Sequence, residues 1–135
     1  MKRAITSPAA PRPIGPYSQA IDTDGLVFCA GQIGLDPATG TLVAGGTEAE
    51  MERALTNLAA VLDAAGLGLG DVVKTTLFLV DLADGPAVGA LYARRFPTPY
   101  PARSTVQVAA LPAGARVEIE AIAARSRQRG SQGSA

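Results

Sequence analysis

The chain predicts an α+β fold, a mixed β-sheet with two helices packed on one of its faces. Three observations lead there. Two stretches repeat apolar residues at helical spacing: Met51, Leu55, Leu58 and Leu62 in the first, Val88, Leu91, Tyr92 and Phe96 in the second. Other stretches alternate at period two or run apolar over a strand's length, most clearly on either side of Leu111-Pro112-Ala113-Gly114. The order is strands, helix, strand, helix, strand pair, which suits one layered domain in 135 residues.

A short strand is expected at Arg3 to Thr6. Ser7 to Pro16 carries four prolines and Gly15, so it can be neither helix nor central strand and reads as an ordered loop or arm. Tyr17 follows, a candidate packing residue or the wall of a site. Ser18 to Asp22 and Leu26 to Ala30 flank Thr23-Asp24-Gly25, whose Asp-Gly pair signals a tight hairpin. In Gly31-Gln32-Ile33-Gly34 the two glycines allow either a bulge or a close backbone approach, and the residues alone favour the bulge. Asp36 to Gly40 is a second turn, leading to a strand around Thr41 to Val43.

Thr47 with Glu50 has the spacing of a capping box for the first helix, and Gly66 sits where its C-terminal cap belongs. Its polar side carries Glu48, Glu52 and Asp63. Gly68 to Gly70 turns the chain into Val72 to Val80, a strand apolar on both faces near its end. The second helix runs from about Pro86 to Arg95, capped by Asp84 or Gly85. Pro97, Pro99 and Pro101 then hold the chain extended. Residues 1–125 are expected to form the single domain, and 126–135 a disordered tail; Arg125, Arg127 and Arg129 read as solvated.

Pro101 to Ala124 reads as a β-hairpin. Pairing Val106 and Val108 with Val117 and Ile119 sets Arg103, Thr105, Gln107, Glu118 and Glu120 on one common surface. The register is open: Arg103 faces Glu120 or Ile122, and Thr105 faces Glu118 or Glu120. Two readings fit this surface. One is a solvated face with cross-strand ion pairs of little energetic weight. The other is a site in which the planar Arg103 fork grips a small carboxylate and a nearby glutamate handles protons. Two helices cover one sheet face only, so Phe78, Val80 and Ile122 on the other predict association, with sites at the seams of a cyclic oligomer.

Composition narrows the chemistry. Twelve basic and twelve acidic side chains cancel, so no field favours nucleic acid or an anionic membrane. The chain has no histidine and one cysteine, Cys29. That excludes Cys/His zinc sites, Ser-His-Asp and Cys-His nucleophile pairs and imidazole acid–base work, leaving carboxylates, arginine, tyrosine, hydroxyls and backbone. A lone thiol fits a reducing compartment, and no apolar run has a membrane span's length, so a cytoplasmic location is expected.

The motifs are more specific than the composition. Ile14-Gly15-Pro16-Tyr17-Ser18-Gln19-Ala20, Phe28-Cys29-Ala30-Gly31-Gln32-Ile33-Gly34, Asn57-Leu58 and Ala64-Ala65-Gly66 stand in the first half. Val73-Lys74-Thr75-Thr76, Asp81-Leu82, Pro101 to Val106, Leu111-Pro112 and Val117 to Ala123 stand in the second. In this order and spacing, across roughly Pro13 to Ala124, the chain resembles the RidA family (YjgF/YER057c/UK114) of reactive-intermediate deaminases. The resemblance implies a chorismate-mutase-like fold, a homotrimer with a central β-barrel, and a cleft at each subunit interface. It implies hydrolysis of enamine/imine intermediates such as 2-iminobutanoate and 2-iminopropanoate to 2-oxo acids and ammonia, without metal or other cofactor. Carried over onto this sequence, Arg103 binds the substrate carboxylate and Glu118 orients water, while Tyr17, the Gly31 backbone and Thr105 line the cleft. Two positions depart from the family's usual residues: Gly89 where an asparagine is frequent, and Thr105 where several members have cysteine. A non-enzymatic, small-acid-binding or chaperone-like role is the alternative. RNA cleavage, also attributed to the family, is disfavoured by the neutral charge and the 4% aromatic content.

Overall fold

A computed structural model describes residues 1–126. The tail expected at 126–135 therefore lies, from residue 127 on, outside the described residues. Six strands form one sheet in the order β1-β2-β3-β8-β6-β7. They are β1 (Arg3–Ile5), β2 (Ala20–Thr23), β3 (Leu26–Gln32), β6 (Val72–Leu79), β7 (Ala102–Gln107) and β8 (Val117–Ala124). A small ribbon of β4 (Leu35–Asp36) and β5 (Thr41–Leu42) stands apart. Helices α1 (Gly46–Ala64) and α2 (Gly85–Arg95) cover one face of the sheet.

The local signals hold where they are local. Asp24 and Gly25 both take positive φ, 51° and 82°, as the two-residue turn between β2 and β3 requires. Met51, Leu55, Leu58 and Leu62 are wholly buried under α1, each contributing about 1.5–3 kcal/mol before entropy is counted. They pack with Val27 of β3, Leu77 and Leu79 of β6 and Val117 and Ile119 of β8 into one core. Gly66, at φ 77°, ends the helix, and its N–H and that of Leu67 return to the Asp63 and Leu62 carbonyls.

Three expectations fail, each for a tertiary reason. Thr47 and Glu50 form no capping box: Gly45 is the N-cap, and no side chain caps the helix. Thr47 Oγ1 instead donates to Asp84 Oδ2 at 2.9 Å and accepts from Arg116 Nε at 2.8 Å, while Glu50 Oε1 accepts from the Arg116 backbone N–H at 2.8 Å. These side chains tie α1 to the start of α2 and the entry to β8. Arg125 is not solvated; it donates to Asp22 Oδ2 at 2.6 Å, and its N–H bonds the Gly25 carbonyl at 2.8 Å. With Arg3 on the same carboxylate at 2.9 Å, it holds the Asp22 carboxyl below the usual range and stitches β8 to the first hairpin.

The third correction matters most. β7 and β8 do not form a hairpin, because β6 lies between them, parallel to β7 and antiparallel to β8. A strand that is apolar on both faces is best satisfied in the sheet interior, with neighbours on both edges. The segment β6-α2-β7 is thus a strand–helix–strand crossover, which pairs its strands in parallel. Arg103 stands opposite Thr75, and Thr105 opposite Leu77, on the helix-covered face. Glu118 stands opposite Phe78, and Glu120 opposite Thr76, on the other face. The common surface expected for Arg103, Thr105, Glu118 and Glu120 does not exist within one chain.

Asn57 is the polar pin of this architecture. It is fully buried in α1, donates to the carbonyls of Ile33 and Leu35 at 3.2 and 2.9 Å, and accepts from Arg53 at 2.8 and 3.0 Å. Asn57→Ala removes its hydrogen bonds to the Ile33 and Leu35 carbonyls, of which the Ile33 one keeps the Leu35 N–H at 2.9 Å, and leaves a cavity in α1, so the variant is expected to lose about 1–3 kcal/mol in urea unfolding. A loss under 0.5 kcal/mol contradicts this role.

Candidate active site

β3 breaks its register with β8 between Cys29 and Gln32, and the bulge carries Gly31 over Glu118. A β-carbon at Gly31 would overlap Glu118 Oε2 and lie 2.8 Å from its carboxylate carbon. At Gly34 it would lie 2.6 Å from the α carbon of Glu50 in α1. The two glycines therefore serve both open readings of the sequence, a bulge and a close approach. Only hydrogen at Gly31 leaves the Glu118 carboxylate its place.

Tyr17, Gly31 and Glu118 line one cavity of about 390 Å³ with the proline arm and Pro112-Ala113. Tyr17 is exposed rather than a packing residue, and its hydroxyl accepts from the Ile14 N–H at 3.4 Å. Gln19, only 3% exposed, clamps the arm that forms the opposite wall. Its side chain accepts from the Ser7 N–H at 2.6 Å and donates to the Ser7 and Pro11 carbonyls at 3.1 and 2.9 Å. Gln19 and Asn57 are positioning residues that stand inside the family motifs with no task legible from spacing. Their signal is an amide beside a hydroxyl residue, Ser18 or Thr56, directly before apolar residues.

Glu118 is half-buried, and among the described residues no cation lies within ion-pair distance of it. Burial, with a smaller push from the neighbouring Glu120 charge, raises its pKa above the ordinary glutamate value.

Arg103 and Thr105 sit elsewhere. The Arg103 guanidinium lies 4.8 Å from the centroid of the Tyr92 ring on α2. Tyr92 and Thr75 share a hydrogen bond of 2.8 Å beneath it, and burial pushes the Tyr92 phenol up. Arg103 lines a cavity of about 380 Å³ with Gly89, Tyr92, Ala93, Tyr100 and Pro101; with Thr105, Leu77 and Val88 it also borders a smaller one of about 170 Å³. The structure thus gathers Tyr17, Gly31 and Glu118 and sets Arg103 and Thr105 on the opposite sheet face.

The remaining reactive group is spent on packing. Burial drives the Cys29 thiol up to about 12, so it is expected to resist iodoacetamide at pH 8 until the protein is denatured. Rapid labelling of the native protein overturns that. Among the described residues no group of three or more His, Cys, Asp or Glu is placed to hold a metal ion, and no helix is long and apolar enough to cross a membrane.

The family model described as Endoribonuclease L-PSP matches residues 7–125, nearly the whole described chain. The chain belongs to the RidA family. A goat (Capra hircus) relative named 2-iminobutanoate/2-iminopropanoate deaminase is 50% identical over 91% of this chain and 90% of its own. A solved structure from Thermotoga maritima is 47% identical with a TM-score of 0.89, covering 93% of this chain and 98% of that one. E. coli TdcF, solved with bound serine, is 40% identical with a TM-score of 0.86 over 92% of this chain and 99% of that one. As a RidA-family chain it shares the mixed sheet and the two helices of those structures.

Proposed function

We propose that this protein is a hydrolytic deaminase that converts 2-imino acids such as 2-iminobutanoate and 2-iminopropanoate to 2-oxo acids and ammonia. The observation that carries the reading is Glu118: a half-buried carboxylate without a cationic partner, facing a cavity, with its pKa raised. Holding such a group costs the fold stability, and that cost is common at sites of proton transfer. The name borne by the goat relative supports the same chemistry.

In the reaction, the Glu118 carboxylate takes a proton from water as the water oxygen bonds to the electrophilic C=N carbon. The proton passes to nitrogen, giving a carbinolamine. That intermediate collapses: its hydroxyl proton passes through the same carboxylate to the amine nitrogen, the C–O bond becomes C=O, and the C–N bond breaks with release of ammonia. Arg103 clasps the substrate carboxylate bidentately, Thr105 offers it a hydroxyl, and Tyr17 and the Gly31 backbone shape the wall.

These roles require Arg103 and Glu118 at one substrate, whereas a single chain holds them on opposite faces. We therefore assign Arg103 and Thr105 of one subunit to the Glu118 cleft of its neighbour, in a closed homotrimer of chorismate-mutase-like subunits whose sheets form a central barrel. Leu26, Phe28 and Val106 are exposed on the face away from the helices, an apolar surface that such an assembly covers. A cytoplasmic location fits the buried, lone thiol. The family description as an endoribonuclease finds less support in a chain of zero net charge without histidine.

The test generates 2-iminobutanoate with a threonine dehydratase and follows 2-oxobutanoate. Added protein is expected to accelerate its appearance above the spontaneous rate. No acceleration overturns the reading and leaves the small-acid-binding role.

A further inference from the structure

Helix α2 holds a glycine that neither backbone nor packing requires. Gly89 lies in the helix interior, outside the set of glycines with positive φ, and a β-carbon built there meets no atom within 4 Å. Glycine is among the poorest residues for a helix interior, and a β-carbon here would meet only open space. The two reasons that normally keep a glycine in place are both absent. What its missing side chain leaves open is the cavity of about 380 Å³ beside Arg103.

That cavity has one charged wall and several apolar ones. Arg103 supplies the charge; Ala93, Tyr100 and Pro101 supply a ring face and aliphatic surface. Tyr92 is buried, its hydroxyl bonded to Thr75 and its ring packed against Arg103 and Phe96, so it backs the cavity and the open apolar surface belongs to its other walls. In a 2-imino acid the side chain leaves the carbon next to the carboxylate. A carboxylate clasped by Arg103 thus brings the side chain within a bond or two of the opening. A space of this size lies in the range of pockets that enclose ligands much larger than a methyl or ethyl group.

We propose that Gly89 is a specificity-determining residue, and that the cavity it opens admits the bulky apolar or aromatic side chain of the substrate. This inference rests on the deaminase reading with Arg103 as carboxylate binder, and it extends the substrate class from three- and four-carbon acids to those derived from leucine and phenylalanine. The affinity for such side chains comes from burying apolar surface between Ala93, Tyr100 and Pro101.

The experiment compares the intact wild-type protein with Gly89→Leu. Imines are made in situ by an amino-acid oxidase from 2-aminobutanoate and from phenylalanine, and kcat/KM is measured for each. In parallel, calorimetry measures binding of the products, phenylpyruvate and 2-oxobutanoate. Gly89→Leu is expected to lower the phenylalanine-to-aminobutanoate ratio of kcat/KM at least about tenfold, and to weaken phenylpyruvate binding in step. The variant's Tm is expected to rise by about 4 °C, because leucine is the better helix former, which separates a filled pocket from a damaged fold. Ala90→Leu, at an exposed position beside it that does not line the cavity, is expected to keep the wild-type ratio. A ratio unchanged in Gly89→Leu, or a wild type that neither turns over the phenylalanine-derived imine nor binds phenylpyruvate, overturns the proposal while small-imine hydrolysis stands. Failure to hydrolyse any imine overturns the deaminase reading itself.

Discussion

Co-expressing Arg103→Ala subunits with Glu118→Gln subunits is expected to restore about a quarter of wild-type imine hydrolysis, although each variant alone is nearly inactive. The expectation follows from sheet geometry. Arg103 pairs with Thr75 on the helix-covered face, and Glu118 pairs with Phe78 on the other, so one chain cannot present both to a seven-heavy-atom substrate such as 2-iminobutanoate. Alone, Arg103→Ala is expected to lose the proposed bidentate, charge-assisted contact, about a hundredfold in kcat/KM. In randomly mixed rings, a site is intact when its Glu118 comes from an Arg103→Ala subunit and its arginine from a Glu118→Gln subunit. That combination arises in about one site in four whatever the ring size. The check is 2-oxobutanoate formation by the purified mixed protein. Activity no higher than that of the separate variants places both groups' work within one chain and removes the intersubunit cleft.

Glu118→Gln by itself is expected to lower kcat by about 10²–10⁴ while leaving the fold at least as stable at neutral pH. The sign follows from the raised pKa. Folding makes Glu118 harder to ionise, so its stability contribution is fully present below the unfolded pKa near 4.5 and is lost as pH rises through the folded one. At pH 7 the wild type carries that cost, and the amide does not. In the proposed mechanism the working form is the carboxylate, so the acid limb of kcat/KM in the wild type is expected to lie above the ordinary glutamate range. Glu120→Gln should move this limb toward acid, but only part of the way, because burial is the larger cause and the Glu120 charge the smaller. A Glu118→Gln protein that is both inactive and markedly less stable assigns the residue to structure. An acid limb at the ordinary glutamate pKa removes Glu118 as the base.

Gly31 links the two arguments. Its missing β-carbon is the space that the Glu118 carboxylate occupies, so Gly31→Ala displaces that carboxylate without altering it chemically. Sequence spacing marked the glycine, and only the fold could name what approaches it.

The amino-acid sequence by itself determined the elements: the apolar stripe of α1, the Asp24-Gly25 turn, the cap at Gly66, and the chemistry left by the absence of histidine. Each of those is a matter of neighbours within a turn or two, where periodicity and backbone preference act directly. It also carried the family, through motifs whose order survives without knowledge of their placement. Tertiary structure alone decided which strands meet. Thr47 and Glu50 satisfy a distant arginine rather than their own helix, and Arg125 grips Asp22, because a buried or clustered charge takes whichever partner packing delivers. Above all, β6 enters between β7 and β8. Alternation along a strand states which residues share a face of that strand, but it holds no information on which strand lies beside it, and one intervening strand was enough to put Arg103 and Glu118 on opposite sides of the sheet.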